Sequence, residues 1–329
     1  MKKGNISIFV PHIGCPQKCS FCNQNTITGQ SDPPTAKDVA NAVETALKTE
    51  GYEFEIAFFG GSFTAIDREY ILSLLKAAKP YIESGSVKGI RCSTRPDCID
   101  GEVLEILKAY GVTAIELGAQ SMDDSVLKKN LRGHTADDVR QASALIREYG
   151  FELGLQMMTG LYCSSRALDI YTARELIKLK PATVRIYPTV VLKNTYLARL
   201  LECGEYTTDT LEETVSLCAE LLPMFEENGI KVIRLGLHSS DDIKENMLGG
   251  GFHDSLGEMV QSRILLNKIL ETPAGEYTVY INEKTLSKLK GNKKANITAL
   301  ENAGYRIEIL FDNSLKANEL RLENGIKNS

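Results

Sequence analysis

Short apolar runs alternate with amphipathic helical segments through the first two-thirds of the chain, a rhythm that few folds accommodate. "NISIFVP" (residues 5–11), "FEIAFFGG" (54–61), "GIRCST" (89–94), "VTAIELGAQ" (112–120), "FELGLQMMTG" (151–160), "ATVRIYP" (182–188) and "KVIRLGL" (231–237) read as strands. Helical stretches lie between them, including 35–51, 67–82 and 211–228. The first opens with Thr35 and Asp38 spaced as a capping box; the second is expected to break near Pro80. Near-continuous apolar strands joined by helices predict an α/β fold, a partial (β/α) barrel of the TIM type. Chemistry in such folds sits at the C-terminal strand ends.

Those ends carry the unusual residues. In order they are residues 12–22, Gly60-Gly61-Ser62-Phe63, Thr94-Arg95-Pro96-Asp97, Gln120-Ser121, Thr159-Gly160-Leu161 and Tyr187-Pro188. Any one of them reads as a turn; the succession along one end of a sheet reads as a site.

A net charge of -5 argues against a protein that coats nucleic acid or anionic membrane over its whole surface, while leaving room for a local basic patch. The N-terminal apolar run is interrupted by Pro11 and His12, and no stretch is long enough for a membrane span. The expected location is therefore cytoplasmic. In that reducing setting, clustered cysteines are metal ligands or catalytic thiols more often than disulfides.

Three of the eight cysteines, Cys15, Cys19 and Cys22, fall within "PHIGCPQKCSFCNQ" (11–24). The spacing is Cys-x3-Cys-x2-Cys. Three thiols are too few for a four-cysteine zinc site, and an odd number cannot pair off into disulfides. Iron–sulfur clusters are held by closely spaced thiolates, and three ligands on a four-iron cluster leave one iron open. A zinc knuckle with a distant fourth ligand is the alternative. With Phe21 before the last cysteine, the loop resembles the signature of radical S-adenosylmethionine (SAM) enzymes. The resemblance implies a 4Fe–4S cluster on Cys15, Cys19 and Cys22, with SAM chelated at the open iron and cleaved to methionine and a 5′-deoxyadenosyl radical. It also implies a reducing partner of the flavodoxin or ferredoxin type.

Several stretches are similar to the radical domain of the Elongator catalytic subunit: "FFGGSFTAI", "STRPD", "ELGAQSMDDSVLKKNLRGHTADDV", "MMTGL" and "RIYPTVVLKNTYLARLLECGEY". This likeness runs from about residue 5 to 235. It implies that Gly60 and Gly61 contact the methionine amino group and that Gln120 and Arg132 help bind SAM. Backbone without a side chain approaches a ligand closely, and a guanidinium suits a carboxylate. Ser62, Ser93, Arg95 and Gln156 complete the expected cofactor contacts. Ser93 stands where those families usually place a glutamate, and Gln156 where an acid or histidine is common. The last ninety or so residues carry no acetyl-CoA-binding pattern, so the acetyltransferase-dependent carboxymethylation of uridine is not carried over.

Two further residues are candidates for catalysis: Tyr187 as a substrate-facing hydroxyl, a buried tyrosine being the alternative, and Cys163, which like Cys92 and Cys98 is either a hydrogen donor or extra ligand or a packing residue. Packing is the expected role of Cys92, Cys98, Cys203 and Cys218. The rhythm changes after about residue 236, which divides the chain into 1–238, the barrel, and 239–329, a helical linker with a small α/β domain. "GGGFHDS" suggests a loop that carries His253 over the barrel mouth, or a helix-capping turn. "TLSKLKGNKKANITALENAGYRIEI" resembles a KH motif, whose glycine loop clamps nucleotide backbone. Lys293 and Lys294 would then meet RNA; a solvated lysine-rich helix end is the other reading. Together these features point to radical chemistry on RNA, particularly transfer RNA. The competing readings are a small-metabolite or tetrapyrrole enzyme, and an RNA-binding protein with a structural or redox-sensing cluster.

Overall fold

A computed structural model describes residues 2–10, 18–23, 26 and 32–326. Cys15, with His12, lies outside the described residues. The chain forms two compact units, Met1–Asp209 with Met224–Gly251, and Thr210–Pro223 with Phe252–Ser329. The boundary read from the sequence, at 238/239, falls inside the first.

In the first unit β1 (Lys2–Val10), β2 (Tyr52–Gly60), β3 (Ile90–Thr94), β4 (Val112–Gln120), β5 (Glu152–Thr159) and β6 (Thr183–Pro188) lie side by side in chain order. A short strand, β7 (Val190–Leu192), follows, and β8 (Lys231–Leu235) closes the sheet beside β6. Every pairing in this seven-stranded sheet is parallel, and it curls into a half barrel. The connecting helices include α1 (Ala36–Leu47), α2 (Arg68–Glu83), α3 (Gly101–Ala109), α4 (Asp124–Lys129), α5 (Ala136–Glu148), α6 (Arg166–Lys178) and α7 (Tyr196–Glu202).

Local signals explain their ends. The Thr35–Asp38 capping box opens α1, and an equivalent Thr135–Asp138 box opens α5. The expected break at Pro80 is absent: α2 runs on to Glu83. Proline forfeits one helical bond, to the carbonyl four residues back, but its own carbonyl still accepts from Ser84 N at 3.0 Å.

Strand alternation sorts β4 into two faces. Ile115, Leu117 and Ala119 are fully buried on the apolar face, in the core with Leu74, Leu75, Leu104 and Leu107 of α2 and α3. Glu116, Gly118 and Gln120 point the other way, into the half barrel.

In the second unit α8 (Leu211–Glu227) contributes its N-terminal part, and α10 (Leu256–Leu270) follows the short α9 (Asp241–Asn246) of the first unit. The glycine run is not the loop that composition suggested. Within the first unit β9 (Met247–Gly250) pairs antiparallel with β7, setting Gly249 opposite Val191 and Gly250 opposite Val190. The small sheet of the second unit has β10 (Glu276–Ile281) at its centre, parallel to β11 (Arg306–Phe311) and antiparallel to β12 (Leu320–Asn324). Between β10 and β11 come α11 (Leu286–Lys290), the loop at Gly291–Lys294, and α12 (Ala295–Asn302). Leu265, Ile269, Val279, Ile281, Leu289 and Leu300 form its core. Among the described residues no helix is long and apolar enough to cross a membrane.

Candidate active site

The cysteine loop is tied to the barrel by the backbone around its second cysteine. Ser20 N donates to Asn130 O at 3.0 Å, and Ser20 Oγ to Asn130 Oδ1 at 2.7 Å. Asn130, fully buried, donates in turn to Val126 O at 2.8 Å and Tyr162 O at 2.9 Å. Leu197 N, in the first turn of α7, reaches Ser20 O at 2.8 Å. Phe21 packs against the clusters around Leu161 and Leu197. Cys19 is buried and Cys22 half-buried. Among the described residues no three His, Cys, Asp or Glu side chains are grouped to hold a metal ion, and the third expected ligand, Cys15, lies outside them.

Arg132 stands over Cys19. Its Nη1 donates to Cys19 Sγ at 3.0 Å and its Nη2 to Gly118 O at 2.7 Å. Arg95 Nη2 donates to Arg132 O, while Arg95 forks onto Asp97 with two 2.9 Å bonds. Gln120 ends β4 with φ 64°, an unusual conformation for a residue with a side chain, where the β4–β5 register slips. Three buried polar atoms gather at this end of β4 and in the α4–α5 turn with no partner among the described residues: Gln120 Oε1, Arg132 Nε and His134 Nδ1. His134 donates through Nε2 to Ala119 O at 3.2 Å, which leaves Nδ1 as an acceptor. Burial, and then Arg132, hold its imidazole down at about 4, so the ring is neutral at pH 7. Buried polar groups are rarely left unpaired. An unpaired donor on Arg132, the residue that touches Cys19, and an unpaired acceptor on Gln120 suit a ligand that carries both a carboxylate and an amine, such as an amino acid group.

The expected neighbours converge around the next strands. Ser62 Oγ is hydrogen-bonded to Thr94 Oγ1 at 2.9 Å and accepts from Arg95 N at 3.2 Å. Gly60 has φ +108°, and a Cβ there would lie 2.5 Å from Val10 O. Its glycine is demanded by the end of β1, whose Val10 O also accepts from Gly61 N at 2.8 Å, before any ligand is considered.

Ser93 and Gln156 meet each other deeper in the half barrel, around a residue that sequence reasoning missed. Gln156 Nε2 lies 3.3 Å from Ser93 Oγ and donates to Glu116 Oε2 at 2.9 Å. Glu116, 1% exposed, also accepts from Arg185 Nε at 2.6 Å and Nη2 at 3.0 Å, and from Arg91 Nη1 at 3.4 Å. Arg91 binds Glu55 and Glu152 as well. The signal for Glu116 was an acid within an otherwise apolar strand, "AIELGA", where an isolated charge needs a partner.

Tyr187 is half-buried near the end of β6, packed with Val126, Met158 and Leu161, and burial pushes its phenol up. Cys163 is exposed with φ 61° in the turn after β5. Cys92 is fully buried, its thiol pushed up to about 12 by burial and then by Glu116, which fits a packing role. Cys218 is likewise buried, Cys98 half-buried and Cys203 exposed. His253, Lys293 and Lys294 belong to the second unit, where all three line one cavity.

Comparison with known proteins gives the family and the fold. The radical SAM superfamily matches residues 9–163, and the radical SAM C-terminal domain matches 181–265. A tRNA uridine(34) acetyltransferase of Dehalococcoides mccartyi is 26% identical over 295 residues, covering 78% of this chain and 62% of that protein. An uncharacterized protein of Methanocaldococcus jannaschii is 30% identical over 225 residues, 67% of each chain. Human Elongator complex protein 3 is 27% identical over 253 residues, 67% of this chain but 46% of its own length. The chain thus spans about half to two-thirds of these relatives. In fold, the archaeal Methanocaldococcus infernus Elp3 with its N-terminus deleted superposes with a TM-score of 0.65 at 21% identity, covering 84% of this chain and 66% of that one.

Proposed function

The chain belongs to the radical SAM superfamily, whose members are enzymes using a 4Fe–4S cluster and SAM, and from that premise we propose that it modifies transfer RNA by radical chemistry. The observation that carries the cofactor part is Arg132, whose guanidinium bonds Cys19 Sγ while its Nε, like Gln120 Oε1 at the end of β4, is buried without a partner among the described residues. Cys15, Cys19 and Cys22 would hold the cluster. Bound there, it supplies the electron that splits the sulfonium of SAM into methionine and a 5′-deoxyadenosyl radical. The reductant is a protein of the flavodoxin or ferredoxin type, and the setting is the cytoplasm.

The protein's own residues position and shield. Arg132 is the carboxylate clamp, able to release the thiol and keep its hold on Gly118 O. Gln120 Oε1 is the acceptor for an amino group. The Glu116 network fixes the inner wall below them, so that the cofactor is oriented against side chains that do not move. Tyr187, at the end of β6, is proposed to face the substrate, with Cys163 in the neighbouring turn. Transfer RNA as the substrate class rests on the relatives named as tRNA uridine(34) acetyltransferases and as Elongator complex protein 3.

The test is anaerobic incubation of the reconstituted enzyme with dithionite, SAM and total transfer RNA, followed by mass spectrometry. A changed nucleoside with 5′-deoxyadenosine is the expected result. Formation of 5′-deoxyadenosine with a small-molecule extract but never with RNA would overturn the substrate class.

A further inference from the structure

Within the second unit lies a cavity of about 890 Å3, walled by the start of α8, by α10 and α11, and by the loop from Gly291 to Asn296. Five cations line it, Arg263, Lys288, Lys290, Lys293 and Lys294, against two carboxylates, Glu212 and Glu258. Glu212 is engaged by Arg263 at 2.6 Å. Lys288 Nζ donates to Asn318 Oδ1 at 2.8 Å. None of the ion pairs among the described residues uses Lys290, Lys293 or Lys294. In a chain with a net charge of -5, this pocket gathers three lysines, Lys290, Lys293 and Lys294, that no ion pair among the described residues neutralises.

The loop that presents them is built, not loose. Gly291, Lys293 and Lys294 all have positive φ, 71°, 49° and 65°. For the two lysines that conformation costs on the order of 1–3 kcal/mol each, so the surroundings must impose it. Lys294 N closes the loop onto Gly291 O at 3.1 Å, and Asn296, 8% exposed, anchors the chain on either side: its Nδ2 reaches Ser262 Oγ at 2.9 Å, Leu289 O at 3.1 Å and Lys288 O at 3.2 Å. A Cβ on Gly291 would sit 3.0 Å from that amide. Lys294 occupies the N-cap of α12, with no side-chain cap on the first N–H groups. The cavity therefore combines unpaired ammonium groups with an uncapped helix start, both of which favour an anion.

What it lacks is equally telling. No Phe, Tyr or Trp lines it, so it lacks the large aromatic platforms on which bases usually stack; of its two smaller planes, the Arg263 guanidinium is engaged by Glu212. His253 adds a donor: its Nδ1 accepts from Ser255 N at 3.0 Å, leaving Nε2–H as the ring's donor. We propose that this cavity grips backbone phosphates of the RNA substrate without reading its bases, an inference that rests on the RNA reading above.

The experiment is fluorescence anisotropy with labelled transfer RNA over a salt series, using the reconstituted enzyme and the double variant Lys293→Ala/Lys294→Ala. Each phosphate contact contributes roughly 0.7–0.9 to the slope of log affinity against log salt, so the variant should be shallower by roughly 1.4–1.8. The sequence of the RNA should not matter, and an unaltered melting midpoint shows the variant to be folded. Lys284→Ala, outside the cavity, should keep most of the slope. If the double variant binds as the wild type does, or Lys284→Ala loses as much, the cavity proposal fails and the RNA reading survives. Competition by inorganic pyrophosphate as strong as that by RNA assigns the pocket to a small phosphate ligand and overturns the proposal. Absence of RNA binding by the wild type, with SAM cleavage on a small molecule, removes both readings.

Discussion

Arg132 joins the end of β4 to the cysteine loop: one guanidinium donates to Cys19 Sγ at 3.0 Å and to Gly118 O at 2.7 Å. The first bond is to the atom a cluster would claim, and the second anchors the side chain when that bond is released. Replacing Arg132 by Met keeps much of the volume and removes the charge. Hydrogen bonds to charged groups are worth about 1.5–3 kcal/mol, which predicts SAM binding weaker by roughly 10- to 150-fold. Equilibrium dialysis reads the affinity, and iron per chain should stay near the wild-type value. Wild-type affinity in the variant would remove Arg132 from the cofactor site.

Glu116 is a separate matter of stability. It is the shared acceptor of Arg185, Gln156 and, at longer range, Arg91. Arg91 keeps Glu55 and Glu152 if Glu116 is neutralised, but Arg185 has no second carboxylate among the described ion pairs. Glu116→Gln keeps the shape and strands one nearly buried guanidinium. Breaking a buried pair costs roughly 3–5 kcal/mol, and the remaining Arg91 partners favour the lower end, about 3 kcal/mol. Urea unfolding measures it; a change below about 1 kcal/mol would mean that the network is not buried in solution.

How much of this could be read from the sequence follows from which interactions are local. The strand and helix periods, the Thr35 cap and the alternation of strand and helix depend on neighbours in the chain, and the observed elements follow them. The break at Pro80 was misread because a proline late in a helix removes one bond and leaves the later ones intact. The glycine run at 249–250 pairs with β7, some sixty residues earlier, and composition alone carries no sign of that partner. In the site, the Arg132–Cys19 contact spans 113 residues and the Gln156–Glu116 contact 40. Motif resemblance marked Arg132 and Gln156; the apolar setting of Glu116 was visible in the sequence, but its partners, and the role of His134, emerge only when the strands lie side by side.

Two buried titrating groups act on stability with opposite signs. His134 is held at about 4, below the ordinary 6.5, so its contribution is complete above pH 6.5 and is lost as pH falls toward 4. Asp169 accepts from Ser164 Oγ and Gly160 N, yet burial raises its carboxyl to about 6. Its contribution is complete below the ordinary value near 3.8 and is lost as pH rises through 6. Each is worth about 3 kcal/mol at 1.36 kcal/mol per pH unit, so they offset each other between pH 4 and 6. His134→Gln preserves a donor for Ala119 O and abolishes one side of the balance. Relative to the wild type, the variant should gain stability in urea as pH is lowered from 6 to 4.5. A parallel pH dependence in the two proteins would mean that His134 is not the group held neutral.

Gly60 tests whether the mouth of the site depends on backbone packing. Alanine there faces two penalties: a positive φ of +108° and a Cβ 2.5 Å from Val10 O. Relief requires the end of β1 to shift, and β1 is the strand that delivers the chain into the cysteine loop. Gly51 separates the two effects, because its φ is +81° but nothing lies within 4 Å of its Cβ position. Gly51→Ala should therefore lose about 1 kcal/mol from backbone strain alone and reconstitute a normal amount of iron. Gly60→Ala should lose about 1–3 kcal/mol and also incorporate less iron, because the ligands no longer start from the right place. Iron per chain and the absorbance near 400 nm, set against urea midpoints for both variants, provide the comparison. Full iron incorporation in Gly60→Ala, at whatever stability, would separate the position of Val10 from the geometry of the cysteine loop.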